Sequence, residues 1–509
     1  MPELKLTTEE LAVTEMLLDT SAEQSLELDF LLPDYEPEVF RILKTRVTPV
    51  IQQIQVDKNR LELSGVCNVS VLYLGERQDS LQAARQAAPF SKTLELKKLP
   101  DSDCAVQCVP RCYFVNARAV SSRRLEVRCG LSIRTRVTAQ TKRPVVASAR
   151  GCGVQIHGKS VNSAQNRILA SKTFTMSEDL ELGQAKPAFG SLLDAWFSLV
   201  LTEKKMMENR VICKGDLVTR ILYCPEGGGS PELMEWSEPV SQILDLTGVQ
   251  QDDICEIHAE RLNGSFEPVR GDGECRRLSA EWSVTVSAVC DRNRETQLND
   301  DAFSCQYASR PIIETVPLSL ACGTISQIVP VTGRMEIAQL ENLCAILTSP
   351  GEYSSRSENG KLILSGTVEV SAIYLSGGSL AVSDKSILYE AVLDQDCPDE
   401  ISFFPSVGIV SADGTLSAGG IDLRIQLNVC GTVCQPLEQR LLTGLEIDKD
   451  KALERSGAAL RICYAEPGEN LWDIAKRCRT SMPAIMQEND LQSETMTERQ
   501  MLLIPMLQE

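Results

Sequence analysis

Histidine and aromatic residues are scarce in this chain. Of 509 residues only two are histidine, His157 and His258, and Phe, Trp and Tyr together make up 5%. So few imidazoles leave little for nucleophilic or metal-assisted catalysis, and neither histidine stands in a nucleophile or metal motif. No phosphate-binding loop, GxSxG or HExxH occurs, so no enzyme is expected. Carboxylate pairs meeting in space from separate loops stay open as an alternative. Basic residues are also in deficit: 51 Lys and Arg face 70 Asp and Glu, a net charge of -19. That argues against nucleic-acid binding, which needs a basic surface, and against adhesion to an anionic membrane. No long apolar run is present. The uncharged stretch from Thr315 to Gly333 is broken by Pro317 and Pro330, so no transmembrane segment is expected. The start, Met1 to Leu6, has neither the basic stretch nor the apolar run of a signal peptide, and the chain is expected to stay in the cytosol of the cell that makes it.

Cysteine is present without a framework. The 19 residues are scattered, and reduced, mostly buried thiols are the expectation. Cys104, Cys108 and Cys112 cluster, and Cys430 and Cys434 form a looser pair, but no Cys-x2-Cys pair or nearby histidine accompanies them. No metal and no cofactor are expected.

What the chain does have is an internal repeat. Residues 61–73 (LELSGVCNVSVLY), 211–223 (VICKGDLVTRILY) and 362–374 (LILSGTVEVSAIY) share Gly65, Gly215 and Gly366, and Tyr73, Tyr223 and Tyr374. Both series are offset by 150 and then 151 positions. Leu61, Leu63, Cys67, Val69, Val71 and Tyr73 alternate with polar residues, the period of a half-buried antiparallel strand. A glycine in mid-strand suits a bulge or a close backbone approach. A second alternating strand follows in each copy, at Leu125–Val137, Leu278–Val286 and Ile421–Val429. The fold class is therefore mainly β, with three tandem antiparallel β-rich domains over 1–150, 151–310 and 311–445. Residues 141–172 read as a connector plus the first strand of the second copy. Residues 446–460, charged and Ala-rich, read as a linker or short helix.

The repeats resemble the SPOCS domain, a sporulation-associated repeat, with LPDYEPEVFRIL at 32–43 similar to that family's leading motif. The last segment, 461–509, has its own pattern. Tyr464 lies on a short strand and Pro467-Gly468 makes a turn. Asn470 caps a helix bearing Leu471, Ile474, Ala475 and Cys478, Ser481 caps a second helix, and Leu502 to Ile504 close a β-α-α-β unit. Tyr464, Gly468, Glu469, Leu471, Ile474, Ala475, Asn489, Leu502, Ile504 and Pro505 stand in the order that the LysM domain, a small α/β module, requires. Asn470 departs from the usual threonine. The resemblance implies a shallow groove for N-acetylglucosamine polymers, lined by Gly468, Glu469, Asn470 and Leu471 on one side and by Asn489, Asp490 and Leu491 on the other. Trp472 beside them is either an exposed binding hot spot or a half-buried lid over the small core.

Tandem SPOCS repeats with a C-terminal LysM domain resemble spore coat morphogenetic proteins. That resemblance implies a non-enzymatic scaffold in the mother-cell cytosol, recruited to the forespore surface. Its LysM domain would contact the coat basement-layer sporulation ATPase, and other coat proteins are further partners. The alternative is a peptidoglycan-binding protein of cortex or wall. One more feature stands out: 13 Lys and Arg and a single acid, Glu126, lie between Arg111 and Lys172. Arg124, Arg128, Arg134 and Arg136 share the polar face of their strand, as a docking surface for an acidic partner or lipid headgroups, or as an ordinary solvated face.

Overall fold

The structure, a computed structural model, describes residues 3–76, 81–270, 273–453 and 458–506. The first repeat holds β1 (Lys5–Leu31), β2 (Val39–Asp57), β3 (Arg60–Gly75), β4 (Leu81–Glu95), β5 (Cys104–Ser121) and β6 (Arg124–Arg150). They form two antiparallel sheets, in the order β1-β6-β5 and β2-β3-β4. The second repeat repeats the plan with β7 (Val154–Glu181), β8 (Phe189–Met207), β9 (Arg210–Pro225), β10 (Glu232–Asp245), β11 (Ile254–Val269) and β12 (Arg277–Ser304). In the third, β13 (Tyr307–Glu336), β14 (Asn342–Glu358), β15 (Lys361–Ser376), β16 (Ser379–Asp396) and β19 (Gly420–Ala452) keep the pairing, while β17 (Ser402–Phe403) and β18 (Ser406–Ser417) share the outer position beside β19. Each repeat is a sandwich with its own core, and Leu61, Leu63, Val69, Val71 and Tyr73 fill the first together with Leu125, Val127, Leu131 and Ile133.

The repeated glycines sit where a neighbouring backbone comes too close for any side chain. A β-carbon on Gly65, Gly215 or Gly366 would stand closer than 3.0 Å to the carbonyl oxygen of Val50, Val200 or Glu352. In the first two repeats the facing strand bulges at that point, between Ile51 and Gln53 and between Leu201 and Glu203. The repeated tyrosines are buried, and in the first two repeats the hydroxyl fastens the leading loop: Tyr73 donates to Pro37 O at 3.1 Å and Tyr223 to Pro187 O at 2.9 Å. Burial pushes both phenols up to about 12.

Beyond Ala139, Asp291 and Cys434 the third strand of each outer sheet has ended, and the long strands continue as two-stranded arms. At roughly 3.3 Å per residue, the 27-residue β1 spans about 90 Å from arm tip to leading loop. Residues 141–150 are therefore the end of β6, and Val154 onward is β7, so the expected connector there is ordered arm. Likewise Glu446 to Ala452 prolong β19 against β13 in place of a linker or helix. The three arms pack on one another through Leu11, Val13, Val145, Leu298, Val316 and Leu441.

The bodies meet in a second place. Leu72, Leu222 and Ile373 occupy equivalent positions on the outward faces of the inner sheets, and with Leu74, Leu193, Cys224 and Leu347 they form one apolar hub. This explains why each repeat strand ends in an unbroken apolar run: one face fills the repeat's own core and the other fills the hub. Contacts between neighbours close on themselves, β4 with β8, β10 with β14 and β16 with β2. The three repeats form a ring.

The sulfurs depart from expectation at one point. Cys255 and Cys290, directly opposite each other on β11 and β12, form a disulfide. Strand register brings the pair together, and nothing in the spacing announces it.

Candidate functional site

The C-terminal module is β20 (Leu460–Ala465), α1 (Leu471–Cys478), α2 (Met482–Glu488) and β21 (Gln500–Pro505). Asn470 caps α1, its Oδ1 accepting from Trp472 N at 2.8 Å, and Ser481 caps α2 through Ala484 N at 3.3 Å. Leu471, Ile474, Ala475, Cys478 and Ile485 bury one face of each helix against Leu502 and Ile504 of the hairpin sheet.

The loops expected to line a groove are brought side by side. Gly468 N donates to Met496 O at 2.8 Å and Leu471 N to Glu494 O at 2.7 Å. Most of their side chains are already engaged within the module. Leu471 is fully buried and is core, which corrects its place among groove residues. Glu469 accepts from Arg477 at 2.8 Å and from Glu466 N at 3.1 Å. Asn489 donates to Ile485 O and Leu503 O and accepts from Leu503 N, each within 2.8 Å, so it ties α2 to β21. Leu491 is half-buried against the core. Gly468 (φ +84°) and Asp490 (φ +52°) stay exposed.

Trp472 is not an exposed hot spot: it joins the module core and Phe303 of the second repeat in one buried cluster. It is 5% exposed, because it is pressed against the second repeat. Its ring lies 4.9 Å from Phe303 and 5.0 Å from His157, and its Nε1 donates to Asp301 Oδ2 at 2.9 Å. Lys476, one turn along α1, pairs with the same oxygen at 2.6 Å. Asp301 and Phe303 lie more than 160 residues away in sequence and carry no motif, so the pattern of the module gave no hint of them.

The opposite side of the module is free and apolar. In the β20–β21 ladder Leu460 faces Pro505, Ile462 faces Leu503 and Tyr464 faces Met501. Ile462 is 59% exposed and Tyr464 61%. Cys463, Ala465, Leu502 and Ile504 point inward, so the sheet is apolar on both faces.

The expected basic face is neutralised by its neighbours. Arg124 makes a two-pronged pair with Asp29, whose carboxyl is held below its usual range by that hydrogen bond. Arg128 meets Glu126 at 2.8 Å and Arg136 meets Asp19 at 2.7 Å. Arg134 and Arg136 also stack over Phe404 of the third repeat, with 4.5 and 5.0 Å to the ring centroid. Glu126 lies on β6 itself, but Asp29, Asp19 and Glu27, which stands 3.5 Å from Arg128, come from β1, which pairs beside β6, a partnership that a count along the chain cannot see. As for the clustered cysteines, burial pushes the Cys108 thiol up to about 12 and Cys434 to about 11. Among the described residues, no helix is long and apolar enough to cross a membrane.

Residues 38–113 and 190–267 match the family model described as SipL, SPOCS domain, and residues 466–505 match the LysM domain. No curated protein and no solved structure matches the chain. The chain is thus SipL-like in its domain content, a mainly β protein with SPOCS domains and a C-terminal LysM domain. Both are binding or scaffold domains, tied to sporulation and to peptidoglycan binding respectively. The third repeat lies outside the matched residues yet keeps the strand pairing of the other two.

Proposed function

We propose that this chain is a non-enzymatic scaffold of spore coat assembly, and that its LysM domain docks a protein partner through the sheet face of Leu460, Ile462, Tyr464 and Met501. That face carries the reading: an exposed apolar sheet with Arg499 over the Tyr464 ring, 6.0 Å from its centroid, is the composition of a protein-docking surface. The engaged side chains of the groove loops support it further. The partner is the coat basement-layer sporulation ATPase. The place of action is the mother-cell cytosol at the forespore surface, where the ring of SPOCS repeats contributes contacts to other coat proteins. Capture of purified ATPase by the full chain tests the reading. Ile462→Glu removes an exposed apolar contact without touching the module core, and capture should fall at least tenfold at unchanged circular dichroism. Undiminished capture by Ile462→Glu overturns it.

Peptidoglycan is the second reading, favoured by the LysM match together with the exposed Gly468 and Asp490 loops. Binding of N-acetylglucosamine oligomers by the full chain, with no ATPase capture, would replace the first reading with this one.

A further inference from the structure

The LysM domain follows the third repeat in sequence but is seated on the arm of the second. The three arms give an internal comparison that explains this. Each return strand carries a bulge at the same place: Ala147 in β6, Asp300 in β12 and Thr443 in β19. Bulges re-aim the side chains beside them. In the second arm the bulge turns Asp300 to His157 Nδ1, at 2.6 Å, and Asp301 to the α1 helix. The positions matching Asp301 hold Ser148 and Gly444, and those matching Phe303 hold Arg150 and Glu446. The fold tolerates all of these, and none can offer a carboxylate to Trp472 and Lys476 together with an aromatic edge to the indole.

Asp301 is well supplied for this role. Its Oδ1 accepts from Ala302 N at 2.8 Å, which fixes the carboxylate, and its Oδ2 takes both the indole N–H and the ammonium. Trp472 and Lys476 are spaced i, i+4 and so present one face of α1 to it. Nearby, His157 Nε2 lies 3.8 Å from Glu494, on the loop that pairs with Leu471. The arm therefore lies along the start of α1 and the adjoining loop, the flank of the family's glycan groove.

We infer that the arm of the second repeat is a resident occupant of the LysM domain in cis, with Asp301 as its positioning residue. It bars the Trp472 flank to sugar chains and leaves the sheet face outward. The inference rests on the protein-docking reading for the use of that outer face, but the seating is tested without any protein partner.

The test uses the full chain carrying Asp301→Ser, the residue that the first repeat already holds at this place, with Phe303→Arg as the second variant on the same logic. Hydrogen exchange is followed in segments 471–479 and 298–305, and binding of an N-acetylglucosamine pentamer is titrated. Both segments should exchange about tenfold faster in the variants, and pentamer affinity should rise about tenfold over the parent. Unchanged exchange in both variants overturns the seating. Faster exchange with no gain in pentamer affinity overturns the exclusion of sugar. The Ile462→Glu capture experiment is independent of either result, so failure of the docking reading is told apart from failure of this one.

Discussion

Arg46 of the first repeat places its guanidinium 3.9 Å from the ring centroid of Trp196 in the second, while its Nη1 lies 2.8 Å from Asp194. Both charged side chains are more than four-fifths buried. A planar cation is needed to stack and pair at once, which lysine does not do. In a double-mutant cycle on Arg46→Ala and Asp194→Ala, a coupling of about 1–3 kcal/mol is expected from urea unfolding. Arg46→Lys should recover less than half of it. Additive single changes would show that the pair does not join the repeats.

The repeated glycines make a sharper case. Gly65→Ala, Gly215→Ala and Gly366→Ala each push a methyl group into a carbonyl oxygen of the facing strand. Each should lower stability by about 2–3 kcal/mol. Gly183→Ala and Gly408→Ala, where a β-carbon meets nothing within 4 Å, serve as controls and should leave thermal unfolding unchanged.

The four arginines of β6 should divide by their partners. Arg124→Glu with Arg128→Glu alters exposed pairs, and the unfolding midpoint is expected to stay within about 2 °C of the parent. Arg134→Glu with Arg136→Glu removes the stacking on Phe404, where the first repeat meets the third, and should lower the midpoint by about 5 °C. Equal effects of the two double variants in calorimetry would contradict this division.

Acid sensitivity is expected at Asp253. Desolvation raises its carboxyl pKa, but paired hydrogen bonds from Arg292, at 2.6 and 2.7 Å, and one from Gln250 N outweigh it and leave the pKa below the usual value. A folded pKa below the unfolded one stabilises at pH above the ordinary carboxylate range, about 3.9, and the contribution is lost as pH falls through the folded value. The stability gap between the parent and Arg292→Met should be full at pH 6–8 and should close below about pH 4. A gap that persists at pH 3 in denaturant titrations would point to lost packing instead.

Local pattern reached far into this structure. The period-two strands, the glycine at a close backbone approach, the helix caps at Asn470 and Ser481 and the closing strand at Leu502 are properties of short segments, and they read correctly from residue type and spacing. What escaped was everything set by pairing across the chain. Arg124 and Arg128 look like free charge until Asp29 and Glu27 arrive on the neighbouring strand. Cys255 and Cys290 look unrelated until register sets them opposite. The first part of Thr141 to Lys172 looks like a connector leading to a strand because Val145, Val146, Val154 and Ile156 pack among the arms and not in a repeat core. Trp472 was visible as a residue of interest, but its partners lie in another repeat, and no spacing rule spans that distance.

Three successive repeats, each offering one face to the next, would build an open fibre if the last did not return to the first. Here Arg41 of β2 donates to Leu380 O of β16 at 2.9 Å and Lys44 reaches Asp384 at 2.7 Å, so the circuit is complete inside one polypeptide. Among the described residues these contacts pair each repeat with the next inside one chain, the closed alternative to an open helical filament. On the scaffold reading proposed above, an assembly then grows through other surfaces, the outward sheet face of the LysM module and the outer faces of the ring.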